Sequence, residues 1–101
     1  MSDEEIPVKI DRRLAGLVPK FLAHCRRMPG EIRGAIEAGN LAVPRRIGHS
    51  LMGTGSSYGF HDIGLLGGEI ERAARESDGD RLRELAERLD SYLVRVRPVF
   101  D

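Results

Sequence analysis

Apolar side chains recur every three or four residues along most of the chain, which is the spacing that places them on one face of a helix. The alternation of β-branched apolar residues with polar residues, which marks a half-buried strand, is missing from this pattern. The pattern therefore predicts an all-α protein. No segment repeats another, and no stretch is of low complexity.

The chain is expected to divide into a short lead and one folded domain. Residues 1–9 are interpreted as a flexible N-terminal lead, and residues 10–101 as a helical bundle domain. A short extra helix is expected over Ile10 to Leu17 at the start of this domain.

A longer helix follows, and its apolar stripe ends near Gly39. Pro29 and Gly30 interrupt the stripe, and a proline in a helix interior costs about 3 kcal/mol. The break predicts a kink or two helices that meet there. Because the stripe keeps its phase across the break, one bent helix is favoured. The stripe consists of Val18, Phe21, Leu22, Cys25, Ile32 and Ile36.

Three more amphipathic segments complete the bundle. One runs from about Leu41 to Ser57, with Asn40 suited to cap it, and the next from about Phe60 to Glu76. After a turn over residues 77–80, the last helix is expected to end at Pro98. Four long helices with short connections predict an antiparallel, up-down four-helix bundle.

Composition excludes several classes of protein. The 101 residues suffice for one domain, and 16 basic and 16 acidic side chains cancel, so nothing indicates a nucleic-acid partner. The single cysteine, Cys25, cannot form an internal disulfide. No apolar run approaches the roughly 18 residues of a membrane span, and residues 1–5 are acidic where a secretory signal is basic. These features favour a cytoplasmic protein without membrane association.

His49 is the candidate functional residue. At about 100° per residue, the imidazole points away from the arc that must face the core, which holds Val43, Ile47, Leu51, Thr54 and Tyr58. A buried histidine would lie on the Ile47 side instead. An exposed imidazole is a nucleophile at neutral pH and can carry a phosphoryl group. The alternative is an ordinary solvated histidine.

Glycines inside the same helix favour the functional interpretation. Gly48, Gly53 and Gly55 each cost about 0.5–1 kcal/mol relative to alanine in a helix. Gly53 lies one turn beyond His49 on its face and leaves space for a partner's surface. Gly48 and Gly55 are expected to permit close helix packing, as is Gly67 on the inward side of the following helix.

The segment around this histidine resembles histidine-containing phosphotransfer (HPt) domains. The matching positions are His49, Ser50, Leu51, Gly53 and Gly59, together with Arg46, Ile47 and Gly48 before them. The resemblance covers roughly residues 10–98. It implies that His49 is phosphorylated on Nε2, and that the receiver domain of a response regulator supplies the aspartate, the Mg²⁺ and a lysine.

One position departs from the family pattern. Met52 stands where the family usually has a lysine one turn from the phosphohistidine. Arg45 and Arg46, four and three residues before His49, lie close enough on a helix to supply the charge instead. Met52 is equally suited to an apolar docking patch. The residues expected to face phosphate or partner are Arg45, Arg46, Met52, Gly53 and Ser56.

The resemblance implies a monomeric phosphoryl carrier that shuttles between receiver domains, one on a hybrid sensor histidine kinase and another on a response regulator. The chain has no phosphate-binding glycine loop or kinase signature, so no ATP site and no cofactor of its own are expected. A non-phosphorylated helical adaptor is the main alternative, and a phosphotransfer domain of a chemotaxis-type kinase is another. A metal site is disfavoured, since His24, Cys25 and His61 lack ligand spacing.

Overall fold

The computed structural model describes residues 4–101, which are mostly helical, as predicted. Strand β1 (Ile6–Ile10) is followed by a 3-10 turn (Arg12–Leu14). The helices are α1 (Val18–Cys25), α2 (Met28–Glu37), α3 (Ala42–Ser57), α4 (His61–Arg75) and α5 (Gly79–Arg95), and strand β2 (Val96–Phe100) follows them. Within residues 4–101, none of these helices combines the length and apolar character needed to cross a membrane.

The two strands correct the prediction for both ends of the chain. β1 pairs with β2 in parallel, from Ile6 beside Val96 to Ile10 beside Phe100. The all-α prediction is wrong here. Of the helix expected over Ile10 to Leu17, the structure shows only the 3-10 turn over Arg12–Leu14, because Ile10 belongs to β1. Alternate side chains of β1 turn inward, so its period of two was present but lasted only five residues. Part of the predicted lead thus lies in β1, while residues 1–3 lie outside the described residues.

The predicted bent helix is instead two helices. α1 ends at Cys25 and α2 begins at Met28, with Pro29 in its first turn, where a missing N–H removes no helical hydrogen bond. α2 ends just before Gly39, as expected. Asn40 does not cap α3, because Leu41 holds the capping position and makes no side-chain hydrogen bond there.

The last helix also ends earlier than predicted, at Arg95, because the chain becomes extended from Val96. Its start agrees with the sequence, since Asp78 caps it by accepting a hydrogen bond from the backbone N–H of Arg81 at 3.0 Å. The apolar stripes of the helices meet in one core. Its fully buried members include Ile32, Leu51, Phe60, Ile63, Ile70, Leu82, Leu85 and Leu89.

α3 and α4 pack backbone against backbone. A Cβ atom added to Gly48 would lie 2.5 Å from the Glu71 nitrogen, and one added to Gly55 would lie 2.6 Å from the Gly64 nitrogen. A Cβ on Gly67 would lie 2.6 Å from the Met52 nitrogen. Later positions of α3 therefore face earlier positions of α4, so this pair is antiparallel. The close packing predicted for the glycines is confirmed, and it brings side chains of α4 beside His49.

Candidate functional site

His49 projects from α3 into solvent. Its side chain is 71% exposed, whereas Ile47 and Leu51, on the opposite side of the helix, are buried. The orientation predicted from helical periodicity is therefore confirmed. A ring this open can be reached by a protein partner.

A carboxylate on α4 holds the ring. Nδ1 of His49 lies 3.1 Å from Oε2 of Glu71, whose side chain is only 14% exposed. An ionised carboxylate can only accept hydrogen bonds, so the proton of the neutral ring belongs on Nδ1. This leaves the lone pair on Nε2 as the free nucleophile.

A guanidinium completes a chain of three side chains. A terminal nitrogen of Arg75, one turn further along α4, lies 3.3 Å from the same Oε2 atom of Glu71. The Arg75 side chain is 57% exposed. The carboxylate is therefore shared between an imidazole and a permanent cation.

An open groove of about 980 Å³ lies beside this chain of contacts. Arg45 and Arg46 of α3 and Arg75 of α4 line it together with His49. Apolar lining side chains come from Met28, Leu41, Ala42, Ile47 and Ala74. The structure thus places both predicted arginines in one groove with the imidazole.

The other three predicted residues do not line this groove. Met52 is 40% exposed and lies over α4, where a Cβ added to Gly68 would be 3.6 Å from its sulfur. The Ser56 hydroxyl donates to the Met52 carbonyl at 3.0 Å. Gly53 faces open space, with nothing within 4 Å of an added Cβ. Their functional role stays a prediction.

The end of α3 explains two features of its sequence. Thr54 and Ser57, like Ser56, donate their hydroxyls to carbonyls four residues earlier, so these side chains are satisfied inside the helix. Gly59 then adopts φ +87°, a left-handed conformation that L side chains rarely take. The second glycine of the family pattern therefore serves the turn between α3 and α4.

Sequence reasoning missed Glu71 and Arg75. Both lie on α4, and their distance from His49 along the chain hides their proximity in space. The sequence signal was the presence of Gly48 and Gly67 inside two successive helices. The structure shows that these glycines meet, and one helical turn beyond Gly67 brings residue 71 next to His49.

The remaining candidate groups do not join the site. His24 and His61 are exposed, and Cys25 is fully buried, where desolvation raises the pKa of its thiol to about 11. Across residues 4–101, no cluster of three or more His, Cys, Asp or Glu side chains is arranged to hold a metal ion.

The fold and the site together define a mostly helical domain that presents the exposed imidazole of His49 beside a groove lined by arginines. A protein-family model described as Hpt domain matches residues 16–98, so the chain belongs to the Hpt domain family. That family implies phosphotransfer in two-component phosphorelays, in which the domain carries phosphoryl groups without an ATP site. Neither the curated proteins nor the solved structures provide a match to this chain.

Proposed function

We propose that this protein accepts a phosphoryl group on Nε2 of His49 from the aspartate of one receiver domain and delivers it to the aspartate of another. The observation that carries the proposal is the hydrogen bond between Nδ1 of His49 and Glu71 on a ring that is otherwise exposed. It leaves Nε2 as a nucleophile aimed at solvent.

The transfer step balances without a proton leaving the ring. The Nε2 lone pair attacks the phosphorus of an aspartyl phosphate, the N–P bond forms, and the P–O bond to the aspartate breaks to release a carboxylate. Nδ1 keeps its proton, so the ring becomes a cation. Glu71 lies beside that new positive charge and stabilises it. The reverse sequence delivers the phosphoryl group to a second aspartate.

In this scheme the positive charge near His49 comes from arginines rather than from the lysine that is usual in the family. Met52 supplies no cation, whereas Arg45 and Arg46 line the groove beside His49 and are exposed. A guanidinium offers several donors to phosphate oxygens. The partner receiver domain provides the Mg²⁺, the aspartate and a lysine in this scheme.

The partners follow from this role. A hybrid sensor histidine kinase and a response regulator would carry the two receiver domains, and the protein would diffuse between them as a cytoplasmic monomer. A nucleic acid is not needed at any step. The exposed ring and the adjoining groove give a receiver domain a surface beside the reacting atom.

A transfer assay tests the proposal. Receiver domains of the source organism, phosphorylated with a labelled phosphoryl group, are mixed with the parent protein, His49→Gln and the matched exposed-histidine control His61→Gln. The parent and His61→Gln should gain acid-labile, alkali-stable label, and His49→Gln should gain none. If the parent binds a receiver but never gains label, the adaptor alternative is correct and the carrier proposal is wrong.

A further variant tests the unusual position 52. Met52→Lys restores the cation that the family usually has one turn from the histidine. If charge limits the reaction, transfer to His49 should become faster. If Met52 instead packs against the receiver, binding weakens and transfer becomes slower.

A further inference from the structure

One oxygen of Glu71 contacts two different cation-forming side chains. Oε2 lies 3.1 Å from Nδ1 of His49 and 3.3 Å from the Arg75 guanidinium. A carboxylate oxygen can accept both contacts, but its negative charge is then divided between them. The two partners compete for the same charge.

The carboxylate is the sheltered member of this chain. Its side chain is 14% exposed, against 71% for His49 and 57% for Arg75. Solvent screens a charge less where its surroundings exclude water. The electrostatic effect of removing the Arg75 charge is therefore transmitted to Nδ1 of His49 most effectively through the Glu71 carboxylate.

We propose that Arg75 is a positioning residue that, through Glu71, sets how strongly the site stabilises the positive charge of the His49 ring when Nδ1 carries a proton and Nε2 carries a proton or a phosphoryl group. With Arg75 in place, part of the carboxylate charge is neutralised, and the charged ring is stabilised less. Removing Arg75 leaves the full carboxylate charge on the imidazole.

The consequence for phosphotransfer rests on the proposed function. When phosphohistidine gives up its phosphoryl group, the N–P bond breaks, its electron pair returns to Nε2, and phosphorus bonds to an aspartate or water oxygen. A proton on Nδ1 makes the ring a better leaving group, because the ring then departs as neutral imidazole. Because Arg75 weakens the stabilisation of the charged ring, a smaller fraction of the phosphohistidine carries a proton on Nδ1. Arg75 therefore prolongs the phosphorylated state.

The charged groups that line the groove with the ring are Arg45 and Arg46 from α3 and Glu71 and Arg75 from α4. Met28 of α2 and Leu41 before α3 contribute uncharged side chains. Of these cations, Arg75 is the one that contacts the Glu71 carboxylate at 3.3 Å. This contact allows the effect of Arg75 on the His49 ring to be distinguished from the effect of any other nearby arginine.

Nitrogen-15 NMR of the His49 ring at pH 7 tests the proposal without any phosphorylation. Arg75→Gln should raise the ratio of imidazolium to neutral ring by about threefold, the scale that a half-exposed ion pair supports. Arg75→Lys should resemble the parent, because it keeps the charge. Arg72→Gln removes an exposed arginine from the same helix and should leave the ratio unchanged.

A double-mutant cycle then decides whether Arg75 acts through Glu71. In a Glu71→Gln background, Arg75→Gln should no longer change the ratio. An equal change in both backgrounds would show direct action of the guanidinium and overturn the proposal, as would no change in either.

The lifetime of the phosphorylated protein is the second readout. Arg75→Gln should shorten it about threefold, in step with the ring ratio. If His49 never takes up phosphate while the ring ratio responds as expected, the carrier function is wrong and the role of Arg75 stands. If phosphate is taken up and the ring ratio does not respond, the role of Arg75 is wrong and the carrier function stands.

Discussion

Nδ1 of His49 and Oε2 of Glu71 lie 3.1 Å apart although 22 positions separate the two residues in the chain. The contact depends on the antiparallel packing of α3 on α4, which glycines at the crossing permit. It distinguishes the two ring nitrogens, because Nδ1 contacts Glu71 and Nε2 is left free.

Removing the acceptor should therefore slow phosphorylation without removing the nucleophile. In Glu71→Ala, the ring proton is no longer fixed on Nδ1 and the ring can rotate, so the rate of phosphoryl uptake should fall about tenfold or more. Single-turnover transfer from a phosphorylated receiver domain measures this rate. Glu76→Ala, which removes an exposed carboxylate just beyond α4, is the matched control and should transfer like the parent. Parent-like transfer by Glu71→Ala would remove Glu71 from the mechanism.

The glycines of α3 should separate into structural and functional positions. In Gly48→Ala the new methyl group meets the backbone of α4 at 2.5 Å, and backbone cannot move aside cheaply. We expect the free energy of unfolding to fall by about 2 kcal/mol or more. Gly53→Ala meets nothing within 4 Å and should gain about 0.5–1 kcal/mol from better helix propensity. Urea denaturation of the two variants measures both values.

The same Gly53→Ala variant tests the predicted space for a partner. If a receiver surface approaches α3 beside His49, the more stable variant should nevertheless accept phosphate more slowly than the parent. Equal rates would show that Gly53 does not face the partner, and its place in the candidate site would be lost.

The strand pair gives a fourth prediction. Ile10 is 1% exposed and pairs with Phe100, whereas the neighbouring Lys9 is exposed. Ile10→Ala should lower the free energy of unfolding by about 2–4 kcal/mol through lost burial and a cavity, and Lys9→Ala should change it little. Thermal unfolding followed by circular dichroism measures the difference. Similar stability for both variants would mean that β1 does not contribute to the folded core.

Helical periodicity was sufficient for most of the fold because each long helix buries one stripe over several turns. It located α3, α4 and the exposed face of His49 within a residue or two. It failed at β1 and β2, since five residues give too few repeats to distinguish a strand, and their pairing joins the two ends of the chain. The antiparallel arrangement of all four long helices stays a prediction beyond the α3 and α4 pair.

The candidate site was only half predictable for a related reason. His49, Arg45 and Arg46 lie on one helix, so their proximity follows from spacing alone. Glu71 and Arg75 belong to another helix, and their place beside the ring depends on how deeply α3 and α4 interlock. Gly48 and Gly67 set that depth, and nothing within either helix states that the two glycines meet.

The hydroxyl of Tyr92 offers a prediction that involves no phosphotransfer. Tyr92 is 7% exposed, its hydroxyl has no hydrogen-bond partner among residues 4–101, and burial, with a smaller contribution from Asp62, raises its pKa to about 12. In the unfolded chain the group ionises near pH 10, so the folded state binds more protons between pH 10 and 12, and stability falls as pH rises through that range.

Tyr92→Phe should remove this source of alkaline destabilisation. At pH 7 its free energy of unfolding should equal or exceed that of the parent by up to about 1 kcal/mol, because an unsatisfied buried hydroxyl is removed. Denaturant titrations at pH 7 and pH 11 measure both effects, and the loss between the two should be smaller in Tyr92→Phe. A lower stability of Tyr92→Phe at pH 7 would show that the hydroxyl has a partner, such as a bound water. If the parent and Tyr92→Phe lose the same stability between pH 7 and pH 11, that loss comes from other groups.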